Sequence, residues 1–191
     1  MRKIEVPEYI KGLIFDCDGT LVDSMPLHMK AWEYVIASGG GPWDADFFFS
    51  RKGTPEKKMV LLFNAQFGRT LDPAEIVKSK HEYFWAHAVE LKSVPHVVDV
   101  VFQYHGVLPM AVASGGTREN VHRQLEAIRI DRFFKIVLCA DDDIPPKPAP
   151  DIFLEAARRL GVAPEFCQVF EDGDLGLEAA RAAGMTATDV R

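Results

Sequence analysis

The sequence predicts an α/β protein: a doubly wound parallel sheet with an all-helical segment inserted after its first strand. Three observations carry this. An apolar run, Leu13-Ile14-Phe15, ends at once in Asp16-Cys17-Asp18-Gly19. From Pro95 onward, short apolar runs alternate with helical ones, the pattern of right-handed crossovers between parallel strands. Between these regions, over residues 23–92, every periodic run is helical. The first strand has no parallel partner nearby in sequence, so it must join the later sheet. The expected division is therefore a discontinuous core, 1–22 and 93–191, and a helical cap, 23–92.

The elements follow in order. Large apolar side chains before Asp16 suit a strand buried on both faces. Gly19 suggests a sharp turn that lifts Asp16 and Asp18 to the mouth of the sheet. In the insertion, Pro26 sits at a helix start, and Leu27, Ala31, Trp32, Val35 and Ile36 recur at helical spacing until Gly39-Gly40-Gly41. Asp44 caps a short aromatic turn containing Phe47, Phe48 and Phe49. Thr54-Pro55-Glu56 opens a helix ending at Gly68, and Asp72-Pro73 opens another running through Phe84 to Leu91. The core then reads as helix 97–104, strand 110–114, helix 118–128, strand 136–140, helix 150–160, strand 168–172, helix 175–183 and strand 186–190.

Composition narrows the function classes. A 191-residue chain with 48% hydrophobic and 26% charged residues is ordinary globular material. Its formal net charge of −6, with no Lys/Arg block, argues against nucleic acid or an anionic membrane as partner. The three cysteines, Cys17, Cys139 and Cys167, are widely spaced in apolar runs and read as buried thiols of a reducing compartment. No stretch has transmembrane length, and Met1–Pro7 has no apolar signal core. A cytoplasmic protein is expected.

The predicted strand ends collect chemistry. Asp16 and Asp18, so close together, repel each other unless a cation or shared proton compensates. One suits a nucleophile and metal ligand, the other an acid; the plainer alternative is an Asp-Gly turn. Ser114-Gly115-Gly116-Thr117 offers a hydroxyl and open amides before a helix, either a phosphate cradle or a simple turn. Lys147, fixed among Pro145, Pro146, Pro148 and Pro150, is a positioned cation or a solvated loop lysine. Glu171-Asp172-Gly173-Asp174 forms a second acidic cluster, with oxygens of the kind Mg²⁺ requires. Asp174 is expected only to cap the last helix.

Taken in this order, the motifs resemble those of the haloacid dehalogenase superfamily, and the match covers essentially the whole chain. Asp16-Cys17-Asp18-Gly19-Thr20-Leu21-Val22-Asp23-Ser24 is similar to its first motif and Val112-Ala113-Ser114-Gly115 to its second. Lys147-Pro148-Ala149-Pro150-Asp151-Ile152-Phe153 and Phe170-Glu171-Asp172, continuing to Gly184-Met185, complete the set. This last stretch resembles the β-phosphoglucomutase-like branch, with a Rossmann-like core and a helical cap. Within that branch, the short chain and its ending resemble the small fructose-1-phosphate and 6-phosphogluconate phosphatases.

The resemblance implies a Mg²⁺-dependent phosphatase of a small phosphorylated metabolite, a sugar phosphate, acting as a monomer or small homo-oligomer. Asp16 would be nucleophile and Asp18 general acid and base. Ser114 and Lys147 would hold phosphoryl oxygens, with Thr20 and Gly115 beside them. Asp16, Asp18 (through its backbone carbonyl), Asp172 and the nearby Glu171 would form the metal site. His28, Arg51, Lys52, Gly53 and Lys80 would read the substrate from the cap.

Two positions depart from the family pattern. Gly173 stands where Ser or Ala is common, and Pro146 where glycine or a polar residue is common. A phosphohexomutase is the nearest alternative, but it carries a cap arginine three residues past its cap glycine, where this chain has Glu56 after Gly53. A non-catalytic binding protein of the same fold is the alternative from another class. No nucleophile or metal ligand is replaced, which favours the enzyme.

Overall fold

The computed structural model describes residues 4–51 and 54–191; Lys52 and Gly53 of the expected substrate-reading run lie outside them. The chain divides into two compact units, Met1–Asp23 with Leu91–Arg191, and Ser24–Glu90.

The first unit is built on a five-stranded sheet. Its strands are β1 (Gly12–Phe15), β4 (Met110–Ala113), β5 (Ile136–Leu138), β6 (Cys167–Glu171) and β7 (Thr186–Asp189). They lie in the order β5-β4-β1-β6-β7, and every pairing is parallel. The first strand is thus central, as its unbroken apolar run and complete burial require. From β1 the chain goes on to β4 and β5 on one side, whereas from β6 it goes to β7 on the other. The boundary between β1 and β6 is therefore a topological switch point, the place where ligands bind in such sheets.

Helices α5 (Pro95–Tyr104), α6 (Arg118–Ala127), α7 (Asp151–Leu160) and α8 (Asp174–Ala182) make the crossovers. Ile14, Val169, Phe153, Ala156, Ala179 and Ala180 belong to one core cluster joining the sheet to α7 and α8. Alternation puts Phe15 on the opposite face, where it stacks on Phe170 with ring centroids 4.6 Å apart and meets Phe134 edge-on. All three cysteines are free and buried, as expected.

The sequence reading missed a two-stranded antiparallel ribbon, β2 (Val22–Asp23) with β3 (Lys92–Ser93). Two residues per strand carry no alternation to detect. The expected Asp174 cap is also corrected. Gly173 holds the cap position of α8, while the exposed Asp174 carboxylate accepts from Arg191 at 2.9 Å.

The second unit is helical: α1 (Met25–Ser38), α2 (Ala45–Phe49), α3 (Glu56–Phe67) and α4 (Pro73–Ala86). Asp44 accepts from the Phe47 amide and Asp72 from those of Ala74 and Glu75, capping α2 and α4 as their sequences suggest. Pro55, not Thr54, holds the cap position of α3. The last cap helix stops at Ala86 instead of running on to Leu91, and a short 3₁₀ turn, Ala88–Glu90, follows. Trp32, Phe47, Phe48, Met59 and Phe63 fill the core. Among the described residues, no helix is long and apolar enough to cross a membrane.

A charged network ties three of these helices. Lys80 of α4, only 2% exposed, donates to Glu56 of α3 and lies 3.0 Å from Nδ1 of His28 on α1. The other Glu56 oxygen is 2.5 Å from Nε2 of His81. Burial opposes ionisation of Glu56, but the His81 hydrogen bond and the Lys80 charge outweigh it and hold its pKa at about 2. A carboxyl group depressed in the fold stabilises above its ordinary pKa of 4.5 and loses that contribution as the pH falls toward 2. Glu56→Gln is therefore expected to cost about 2 kcal/mol at pH 7, below a fully buried pair because the group is partly exposed. The difference in Tm between the two proteins should shrink steadily in thermal melts taken from pH 5 down to pH 2. A difference independent of pH would show that the network is not what ties the helices.

Candidate active site

Both walls of the site come from strands paired in register. Phe15 of β1 stands opposite Phe170 of β6, and the Asp16 amide donates to the Phe170 carbonyl at 3.0 Å. The next residues on each strand, Asp16 and Glu171-Asp172, therefore arrive side by side at the switch point. Carboxylate oxygens of Asp16, Glu171 and Asp172 lie within 4.8 Å of one another. Acids from opposite ends of the chain are brought together by strand register alone.

Lys147 neutralises part of this cluster. Its Nζ donates to Asp16 Oδ1 at 2.7 Å and to Glu171 Oε1 at 2.6 Å, and lies 5.0 Å from the Phe153 ring centroid. The lysine side chain is 13% exposed and both acids less. Burial pushes the Asp16 carboxyl well above the usual carboxylate range against the pull of Lys147, with Glu171 and Asp18 adding to the rise. For Lys147 burial favours the neutral amine, but the two carboxylates more than reverse this and raise its pKa. The proline-rich loop that carries it holds a cis peptide at Lys147-Pro148.

The turn after β1 is compact. The Cys17 carbonyl accepts from the amides of Thr20, Leu21 and Val22, and Gly19 has φ +82°. A side chain at Gly19 would be strained in that conformation and would also overlap the Asp172 carboxylate. Thr20, fully buried, donates to Asp172 Oδ1 at 3.2 Å, so the turn after β1 helps orient an acid at the end of β6. This places Thr20 beside the metal-type acids.

The loop after β4 closes the group. Ser114 is buried, its Oγ accepts from the Gly116 amide at 3.1 Å, and Gly115 is exposed. A Cβ built on Gly116 would stand 3.4 Å from Ser114 Oγ and 3.5 Å from Asp18 Oδ2. Ser114 and Asp18 are thus neighbours across this glycine. Asp16, Ser114, Lys147, Glu171 and Asp172 all sit at the carboxyl edge of the one sheet.

Three carboxylates with hard oxygen donors suit a divalent cation such as Mg²⁺. The side chain of Asp18 is not among the three clustered acids. Glu171 already has partners: Oε1 takes Lys147 and Oε2 accepts from the Gly173 amide at 2.6 Å. A Cβ at Gly173 would lie 3.3 Å from that oxygen, so glycine there leaves room for the bond.

In the cap, His28 and Lys80 are together, with the His28 ring stacked on Phe84 at 4.3 Å. Arg51 is elsewhere, its guanidinium 4.1 Å from the Phe47 ring centroid and bonded to the Phe47 carbonyl and Gln66. Sequence reasoning missed Gly176, in the first turn of α8. A Cβ there would overlap the Glu171 carboxylate; the only signal was its place in the helix that follows the acidic cluster.

Known proteins resemble this chain over most of its length. A family model described as haloacid dehalogenase-like hydrolase matches residues 10–184. The fructose-1-phosphate phosphatase YqaB of Escherichia coli is 39% identical over 184 residues, covering 96% of this chain and 98% of that protein. A phosphorylated carbohydrates phosphatase of Thermotoga maritima is 30% identical, covering 92% and 82%. The crystal structure of CbbY from Rhodobacter sphaeroides in complex with phosphate superposes with a TM-score of 0.78 at 28% identity, covering 93% of this chain and 84% of that one.

Gly176 makes a sharp test of the site. In a helix, Gly→Ala ordinarily stabilises by about 0.5–1 kcal/mol. Here Gly176→Ala must displace Glu171 and with it a partner of Lys147. The expected result is a lower Tm and a kcat/KM reduced at least about tenfold. A higher Tm with unchanged kcat/KM would show that the position of Glu171 is immaterial.

Proposed function

The chain belongs to the haloacid dehalogenase-like hydrolases and is a phosphoric monoester hydrolase; on that footing we propose that it hydrolyses a small sugar phosphate through an aspartyl-phosphate on Asp16, with Mg²⁺ as cofactor. The observation that carries the reading is the convergence of Asp16, Glu171 and Asp172 around Lys147 at the β1/β6 switch point.

In the first step, an Asp16 carboxylate oxygen attacks phosphorus and the ester P–O bond breaks. Asp18 protonates the departing sugar oxygen. In the second, Asp18 takes a proton from water as the water oxygen attacks phosphorus, the bond to Asp16 breaks, and inorganic phosphate leaves. Lys147 and Ser114, with the amide of Gly115, hold the phosphoryl oxygens as charge shifts onto them. Asp16, the Asp18 carbonyl and Asp172 would hold Mg²⁺, with Glu171 beside them. When bound, the ion neutralises charge between the phosphoryl group and the acids. Burial of Asp16 near one lysine and three other carboxyl groups makes a compensating cation the natural completion of the site.

The helical cap would read the sugar through His28 and Lys80, with Arg51, Lys52 and Gly53 as further candidates. Glu56 favours hydrolysis over a mutase: it answers the charge of Lys80 within the cap, leaving that lysine less able to hold a second phosphate. The names of the E. coli and T. maritima relatives support a phosphorylated carbohydrate as substrate. The charge and composition fit a cytoplasmic enzyme with no nucleic-acid or membrane partner. A monomer or small homo-oligomer is the form proposed.

The test is hydrolysis of p-nitrophenyl phosphate and of a panel including fructose 1-phosphate, 6-phosphogluconate, and hexose 1- and 6-phosphates. Wild type should require Mg²⁺ and release phosphate without forming the isomeric hexose phosphate. Asp16→Asn should lose at least about a thousandfold in kcat. Magnesium-independent turnover, an unimpaired Asp16→Asn, or isomer without free phosphate would overturn the corresponding part of the reading.

A further inference from the structure

We infer that Arg118 is a positioning residue: its guanidinium, bridging the Asp142 carboxylate and the Val137 carbonyl, clamps the Ser114–Thr117 loop to β5 and the segment after it and so fixes Ser114 for the phosphoryl group. The inference rests on the reading of Ser114 as a phosphoryl ligand.

An arginine in the first turn of a helix stands at the wrong end of the helix dipole, so its place at the start of α6 calls for a partner. The structure supplies one. Arg118 donates through one terminal nitrogen to both oxygens of Asp142, at 2.7 and 2.8 Å, and through the other to the Val137 carbonyl at 3.2 Å. Its own backbone amide donates to Asp141. Asp142 is itself anchored, since Oδ2 accepts from the Cys139 amide at 2.8 Å.

The same two segments are joined at the backbone. The Ser114 amide donates to the Leu138 carbonyl at 3.0 Å, and the Ala140 amide to the Gly116 carbonyl at 2.9 Å. Such clamping matters because Gly115-Gly116 has almost no stiffness of its own; two adjacent glycines have more conformational freedom to lose than any other pair. Gly116 is also the residue wedged between Ser114 and Asp18. A loosened loop would therefore let the serine hydroxyl drift from its place beside the acid. The Asp142 side chain is 18% exposed and that of Arg118 44%, so the contact matters for where it holds the loop and not for the energy of the ion pair itself. Lysine, with a single nitrogen, cannot span Asp142 and the Val137 carbonyl as the two guanidinium nitrogens do.

The test compares wild type, Arg118→Ala, Arg118→Lys, Asp142→Asn and Ser114→Ala, with saturating Mg²⁺ and p-nitrophenyl phosphate. KM, kcat, inhibition by inorganic phosphate, pH profile and Tm are measured. Both Arg118 variants and Asp142→Asn should raise KM and the phosphate inhibition constant by about tenfold, the scale of one charge-assisted hydrogen bond. Their kcat should stay within about threefold and their pH profiles should coincide with wild type, since the reacting acids are untouched. The Arg118→Ala/Asp142→Asn double variant should be no worse than Arg118→Ala alone, because that variant already removes the contact with Asp142.

If Ser114→Ala weakens phosphate binding while folded Arg118→Ala and Arg118→Lys do not, the clamp has no positioning role and the inference falls alone. If the losses vanish at a temperature where the variants are fully folded, the role is stability only and the inference is equally overturned. If Ser114→Ala itself leaves KM and phosphate inhibition unchanged, the reading of Ser114 falls and takes the inference with it.

Discussion

The structure depends on how one ammonium group is shared. Lys147 lies between Asp16 and Glu171 within hydrogen-bonding distance of both, and all three are almost wholly shielded from water. Each of these charges alone would be costly to bury, and removing one partner from such a cluster costs several kcal/mol because another is stranded. The surrounding fold satisfies that constraint at every point. The parallel register of β1 and β6 delivers the acids, the proline-rich loop delivers the lysine, and Gly176 and Gly173 leave space for Glu171. Gly19 does the same for Asp172. The acids still outnumber the lysine, which is the electrostatic support for the divalent cation we propose there.

Much of this was legible from the sequence because the relevant signals are local. A run of large apolar residues ending in Asp-x-Asp-Gly specifies a buried strand and a tight turn, and the strand is where it was expected. Asp44 and Asp72 announced the helices they cap. Alternating strand and helix patterns gave the core's parallel sheet. What escaped was decided by contacts distant in sequence. A two-residue strand has no period, so β2 and β3 left no pattern. Asp174 looked like a cap, yet its exposed carboxylate finds Arg191 from the chain's last residue. The Arg118–Asp142 contact spans 24 positions, and neither residue stood out from an ordinary surface charge.

The two units show different solutions to the problem of buried charge. In the core, acids in excess of cations create a demand for a ligand. In the cap, Glu56 and Lys80 meet that demand internally, with His28 and His81 completing the hydrogen bonds. A lysine already paired with a carboxylate is less free to hold a second anion. This is the physical ground for preferring hydrolysis of a monophosphate to its transfer within a bisphosphate.

The central claim is that Asp16 makes and breaks a bond to phosphorus. The most direct measurement is acid quenching of the enzyme during turnover of a substrate with Mg²⁺ present, followed by peptide mapping by mass spectrometry. The account predicts an acid-stable, base-labile phosphoryl group on the peptide containing Asp16, absent from Asp16→Asn. A phosphoryl group on Ser114, or on any residue other than Asp16, would contradict it.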